Sequence, residues 1–198
     1  MDLPPDRLPV KSFIQYLHLL EQWNNAYNLT AIKDTGTMVT QHILDSLSVL
    51  PFVRGQRCID IGTGAGLPGL ILAMADPSRH WDLLDSNHKK IRFINQVILE
   101  LELKNVQTLC QRVETCHPEQ PYTTITTRAF SDLSRMLKQV GHLLTKGAVL
   151  LAMKGPGYLV ELDIIDNSTF QVQSHALNVP GLDKPRFLVE IFPLPDKG

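Results

Sequence analysis

The chain has 198 residues, of which 43% are hydrophobic, enough for one domain with a sizeable core and a small appendage. A formal net charge of -1 and a pI near 6.6 exclude a protein that coats nucleic acid by overall charge, so any nucleic-acid contact rests on a local basic patch. Three scattered cysteines, Cys58, Cys110 and Cys116, make neither a disulfide framework nor a Cys-x-x-Cys zinc site, which points to a reduced cytosolic setting and no metal.

The first residues, Met1-Asp2-Leu3-Pro4-Pro5-Asp6-Arg7, lack the charged and apolar regions of a signal peptide. After Pro9, Phe13, Leu17, Leu20 and Tyr27 recur at helical spacing, with Asn28-Leu29-Thr30 as the exit. A second helix is predicted over 37–50, stopped by Pro51. Residues 1–53 therefore read as an N-terminal helical extension, and 54–198 as the core. Within the core the spacing predicts strands at 57–61, 80–85, 106–111, 123–128 and 148–153. Helices at 70–75, 87–103 and 132–144 alternate with them. That alternation implies βαβ units and a mostly parallel sheet. Two extended runs, 170–179 and 186–192, joined by a Pro/Gly-rich turn, are expected to pair as an antiparallel hairpin at the edge. The expectation is a seven-stranded α/β sheet of the Rossmann-like, class I methyltransferase kind. The longest apolar runs, 70–75 and 148–153, are too short to span a bilayer, so no membrane is expected and the setting is read as cytoplasmic.

Asp60-Ile61-Gly62-Thr63-Gly64-Ala65-Gly66-Leu67-Pro68-Gly69 follows a strand and opens a helix, the context a ligand-binding glycine loop requires. Asp85 ends the next strand, 19 residues beyond Gly66, where a carboxylate accepts hydrogen bonds from ribose hydroxyls. Two cofactors fit. Gly64-Ala65-Gly66-Leu67-Pro68-Gly69 matches the dinucleotide string, with its pyrophosphate on the helix N-terminus. Asp60 with Gly62, Gly64 and Gly66 matches the S-adenosylmethionine pattern. The acid decides, because it repels pyrophosphate and suits an amino group and a sulfonium. The antiparallel tail points the same way.

Further segments carry a closer likeness: Trp23-Asn24-Asn25-Ala26-Tyr27-Asn28-Leu29-Thr30, His42-Ile43-Leu44-Asp45-Ser46, Leu83-Leu84-Asp85-Ser86, Arg112-Val113-Glu114, Thr127-Arg128-Ala129-Phe130 and Lys154-Gly155. In these, and in the order in which they occur, the chain resembles the RsmG (GidB) family of bacterial small-subunit rRNA guanine-N7 methyltransferases. Ala65 stands where some members have proline. The resemblance implies methyl transfer from S-adenosylmethionine to a guanine N7 of 16S rRNA, in the small ribosomal subunit or its precursor, by a monomer. It implies that Gly62 and Leu67 contact the cofactor, that Val113 and Glu114 lie near the adenine, and that Arg128 enters the cofactor pocket. Guanine N7 presents a lone pair, so the chemistry needs positioning more than a general base. The Asn/Asp-Pro-Pro-aromatic motif of exocyclic-amine methylation is absent after the fourth strand, and no cysteine follows a proline.

Arg112 and Arg128, near the ends of the third and fourth strands, are expected to meet cofactor or RNA phosphate rather than a structural carboxylate. Lys154, ending the fifth strand, is placed in the RNA or active-site pocket. His42 and Asp45 share one helix face and suit either a substrate role or an interface between extension and core. Trp23 and Tyr27 are read as packing residues. Lys89, Lys90 and Arg92 form either a solvated helix face or an RNA contact.

Overall fold

The computed structural model describes residues 8–128 and 132–195. Helix α1, Val10–Tyr27, buries Phe13, Tyr16, Leu17, Leu20 and Asn24 on one stripe, as its spacing predicts. It stops because Asn28 turns left-handed at φ 50° and donates its N–H to the Asn24 carbonyl. The Asn24 side chain then accepts the Thr30 N–H at 2.9 Å, which fixes the exit.

The next stretch departs from the single helix expected over 37–50. It comprises α2 (Thr35–Met38), a π-helical segment (Val39–Leu44), α3 (Asp45–Leu47) and a 3-10 turn (Leu50–Phe52) that contains Pro51. The physical reason is burial on several sides. His42, Ile43, Asp45, Ser46 and Leu47 are all buried, more than one stripe of a regular helix can present.

From Arg57 onward strands and helices alternate: β1 (Arg57–Ile61), α4 (Gly69–Ala75), β2 (His80–Leu84), α5 (His88–Glu100), β3 (Val106–Leu109), β4 (Thr124–Arg128), α6 (Leu133–Val140), β5 (Val149–Lys154), α7 (Leu159–Leu162), β6 (Phe170–Leu177) and β7 (Arg186–Pro193). Helix α6 ends before the expected 144 because the chain tightens into a 3-10 turn at Gly141–Leu143. The short α7 went unpredicted. The strands form a seven-stranded sheet in the order β3-β2-β1-β4-β5-β7-β6. Strands β1 to β5 pair in parallel, while β7 runs antiparallel to both β5 and β6, which is the expected closing hairpin.

Alternation along the strands builds two apolar layers. Cys58, Trp81, Leu83, Leu151 and Met153 face α1, α4 and α5. Ile59, Ile61, Ile125, Leu150 and Ala152 face α6 on the other side. Both faces are covered, and the interior strand β5 reads as a near-continuous apolar run, Val149-Leu150-Leu151-Ala152-Met153. Helix α1 packs on α5 and α4, and its core residues merge with those of the first layer. In this topology ligands bind at the carboxyl ends of the parallel strands, where the glycine loop leaves β1.

A very close approach lies at the start of α4. A Cβ at Gly69 would lie 2.5 Å from Asp60 Cβ and from Leu83 Cδ2. The Gly69→Ala variant should lose about 2–3 kcal/mol of stability in urea unfolding, the typical cost of overpacking against atoms that cannot retreat. An unchanged midpoint would mean that α4 does not sit this close to the sheet.

Candidate functional site

The loop after β1 takes left-handed backbone at Gly62 (φ 67°) and Gly64 (φ 61°). Side chains resist that conformation, so the wall here is bare backbone. The loop is held from several directions. The Thr63 N–H donates to the Leu84 carbonyl at 3.0 Å, and the Gly64 N–H donates to Asp85 Oδ2 at 3.0 Å. From outside, the Tyr16 hydroxyl of α1 donates to the Ala65 carbonyl at 2.9 Å. The amides of Gly66 and Leu67 both donate to the Thr63 carbonyl, at 2.9 and 2.8 Å.

Asp60 lies beneath this loop, fully buried. Its Oδ2 accepts the Gly69 N–H at 3.0 Å and its Oδ1 accepts the Thr126 hydroxyl at 2.8 Å. Burial pushes its carboxyl up to about 6, against the pull of these hydrogen bonds and of Arg128. This corrects the expectation that Asp60 faces the cofactor, because the carboxylate is spent on pinning α4 to the sheet. The same bond decides against a dinucleotide. The amides of Gly66, Leu67 and Gly69 are already satisfied within the protein, so the helix start offers no anion cradle. Gly66 likewise lines no cofactor cavity. Its φ of 90° shapes the turn, and a Cβ there would meet Leu70 at 2.9 Å.

Three cavities run along the carboxyl ends of the strands. The outer one, about 340 Å³, is lined by Gly62, Asp85, Lys90, Arg112, Val113 and Glu114, among others. The loop cavity, about 200 Å³, is walled by Thr30, His42, Gly62, Gly64, Leu67, Lys90 and Arg128. The third, about 350 Å³, has His42, Asp45, Arg128, Met153, Lys154 and Arg186 in its wall. Gly62 and Lys90 belong to the first two, and His42 and Arg128 to the last two. The three are therefore neighbours with shared walls, set in a row from the β3 side to the β7 side.

The donor set fits S-adenosylmethionine. In the outer cavity Asp85 and Glu114 are carboxylates that could accept from adenosine hydroxyl and amino groups. Glu114 is held below the usual carboxylate range by its backbone N–H and by Gln139. Asp85 Oδ1 accepts the Asn87 N–H at 2.9 Å, and its Oδ2 pairs with Lys90 Nζ at 3.3 Å. In the loop cavity Lys90 and Arg128 are cations that could meet a ligand carboxylate. At Gly62 and Gly64 that part of the wall is bare backbone.

At the third cavity one carboxylate organises two guanidiniums. Asp45, fully buried, accepts Arg186 Nε at 2.8 Å through Oδ1 and Arg128 Nη1 at 3.4 Å through Oδ2. Arg128 also donates to the Gln41 carbonyl at 2.9 Å. So Arg128 does meet a structural carboxylate, contrary to expectation, while still lining both inner cavities. Lys154 lines the third cavity but sits 2.7 Å from Glu161 Oε2. His42 Nε2 lies 3.1 Å from Thr30 Oγ1. Burial, with the Arg128 charge beside it, drops His42 to about 4, so the imidazole is neutral at ordinary pH.

Gly62, Gly64, Leu67, Asp85, Val113, Glu114, Arg112, Arg128, Lys154 and His42 thus all line this run of cavities. Asp60 and Gly66 support it from below. Ala129 and Phe130 lie outside the described residues. Trp23 and Tyr27 stack on each other at 5.3 Å, and Trp23 packs near Phe93 at 5.8 Å. Sequence reasoning missed Arg186, whose partner Asp45 is 141 residues away and leaves no local signal.

Comparison with known proteins agrees with the geometry. The family described as rRNA small subunit methyltransferase G matches residues 10–189. A protein of Legionella pneumophila named ribosomal RNA small subunit methyltransferase G is 47% identical over 178 residues, covering 90% of this chain and 84% of that protein. A protein of the same name from Laribacter hongkongensis is 43% identical over 178 residues, covering 90% and 86%. Among solved structures, an rRNA methylase from Streptococcus thermophilus superposes with a TM-score of 0.55 at 14% identity, covering 77% of this chain and 95% of that one. A SAM-dependent methyltransferase from Aquifex aeolicus superposes at 0.59 and 16% identity, covering 79% and 93%. At such identities these two structures speak for the fold.

Stability should respond to pH through Asp60. Its folded value, about 6, lies above the ordinary 3.8, so its contribution is intact below pH 4 and is lost as pH rises through 6. Relative to Asp60→Asn, the wild-type protein should lose about 3 kcal/mol across that window, at roughly 1.4 kcal/mol for each pH unit between the unfolded and folded values. Chemical denaturation of both proteins between pH 4 and 7 measures the difference, and parallel curves would contradict the buried, raised carboxyl.

Proposed function

The chain belongs to the rRNA small subunit methyltransferase G family, and from that premise we propose that it transfers a methyl group from S-adenosylmethionine to N7 of a guanine in 16S rRNA. In this reading it acts in the cytoplasm as a monomer, on the small ribosomal subunit or its precursor. Among the described residues no helix is long and apolar enough to cross a membrane. The observation that carries the reading is the row of three neighbouring cavities that share Gly62 and Lys90, and then His42 and Arg128, in their walls.

When bound, S-adenosylmethionine supplies an electrophilic methyl group on a sulfonium. The protein supplies the frame. Asp85 accepts from the ribose, while Val113 and Glu114 border the adenine. Gly62 and Leu67 flank the methionine portion in the loop cavity. The guanine takes the third cavity, where Arg128 and Arg186 present N–H donors suited to its O6 carbonyl. N7 itself must stay unpaired and aimed at the methyl carbon. Asp45 balances one of the two guanidinium charges, and neutral His42 adds none. That matters because charge moves onto the purine as the methyl transfers. No proton has to leave N7, so in-line positioning is the main demand on the site. Residues 1–53 act as an extension that completes the pocket. Thr30, His42 and Asp45 come from it, while Gly62, Arg128 and Arg186 come from the 54–198 core.

Labelled S-adenosylmethionine incubated with small ribosomal subunits lacking their native modifications should place label on one guanine N7. Label on another position, or none, would overturn the assignment. Gly62→Leu should weaken S-adenosylmethionine binding roughly 100-fold by calorimetry, about 2.7 kcal/mol. An unchanged affinity would remove the cofactor from this loop.

A further inference from the structure

Beside the arginine-lined cavity lies a larger one, of about 440 Å³, whose wall includes Asp34, Thr37, Thr40, Gln41, Lys184 and Arg186. One side comes from the helical segment before the core, the other from the turn between β6 and β7. Gln41 and Arg186 line both cavities, so the two are neighbours. The larger cavity is close-walled where Gly181 passes Thr40, since a Cβ at Gly181 would lie 3.5 Å from Thr40 Oγ1.

The charges of this wall cancel, with Asp34 and Asp183 against Lys184 and Arg186. Asp34 is already engaged: its Oδ2 accepts both the N–H and the hydroxyl of Thr37, each at 2.7 Å. What remains is a mixed set of hydroxyl, amide, carboxylate and cationic groups from Thr40, Gln41, Asp183, Lys184 and Arg186. Such a wall suits base edges and a ribose 2′-hydroxyl better than a run of phosphates. Its volume falls in the range of sites that enclose one small organic ligand.

We infer that this cavity is a binding subsite for the single-stranded nucleotide adjoining the target guanine. The inference rests on the guanine occupying the arginine-lined cavity. A guanine turned out to present N7 brings its chain neighbours with it, and one of them must pass beside Gln41 and Arg186. Unstacked bases in single-stranded loops are what proteins read in RNA. A chain of net charge -1 gains little from nonspecific attraction, so selectivity must come from such shaped, polar contacts.

The full-length protein tests this with small ribosomal subunits lacking their native modifications. Thr40→Trp fills the cavity, and Lys184→Ala removes an exposed donor without disturbing the core. Each should raise KM for the particle about tenfold, the scale of losing one stacked or hydrogen-bonded base. Saturating kcat and S-adenosylmethionine affinity should stay unchanged. A photoreactive Lys184→p-benzoylphenylalanine variant should cross-link to 16S rRNA. KM within twofold of wild type for both substitutions would overturn the inference, as would a parallel loss of S-adenosylmethionine affinity. Cross-linking to a ribosomal protein would assign the cavity to a protein partner instead. If the wild-type protein methylates no rRNA guanine, the guanine reading of the neighbouring cavity fails, which is a separate result.

Discussion

Everything at the ligand edge depends on one carboxylate that never meets water. Asp60 accepts the Gly69 amide and the Thr126 hydroxyl, and those bonds are what make a charge tolerable at that depth. Because Gly69 has no side chain, α4 descends until its first amide reaches Asp60. That descent sets the positions of Ala65 and Leu67. The hydroxyl of Tyr16 then holds Ala65 from α1, and Asp85 holds Gly64 from the end of β2. A loop of three left-handed glycines would otherwise be the softest part of the chain. Here it is fixed from below, from the side and from outside.

A second buried carboxylate does for the arginine-lined cavity what Asp60 does for the glycine loop. Asp45 sits on the N-terminal segment, yet its partners, Arg128 and Arg186, come from β4 and β7. One residue thereby joins three distant parts of the chain around a single cavity. Removing one member of such a buried set leaves uncompensated charge, which is far more damaging than losing a surface pair. His42 and Asp45, three residues apart on this segment, are both buried and both line the arginine-rich cavity.

Much of this was legible in the sequence because it is written locally. The alternating strands and helices, the closing hairpin and the glycine loop each follow from patterns within a few residues. So does the Asp85 carboxylate at the end of β2. The break-up of 37–50 was not legible, because a helix buried on several sides carries no clean amphipathic stripe. Asp60 was read in the right place with the wrong orientation. Its spacing from the glycines fits a cofactor ligand and a loop strut equally well, and only the 3.0 Å bond to Gly69 separates them. The carboxylate partner of Arg128 and the whole role of Arg186 were invisible for one reason: both rest on Asp45, which is remote in the chain and adjacent only after folding.

The direction of the last strand has a consequence in time. Strands β1 to β5 present their final residues to the ligand edge, but β7 runs the other way and presents its first, Arg186. A ribosome releases Asp45 early and Arg186 late, since synthesis runs from the N-terminus. Until residue 186 has emerged, Asp45 lacks its Arg186 partner, and the wall of the arginine-lined cavity is incomplete. The cofactor loop needs nothing beyond Thr126 to be tied down. The contacts that tie down the glycine loop are thus all encoded by residue 126, whereas the wall of the arginine-lined cavity waits for the last strand.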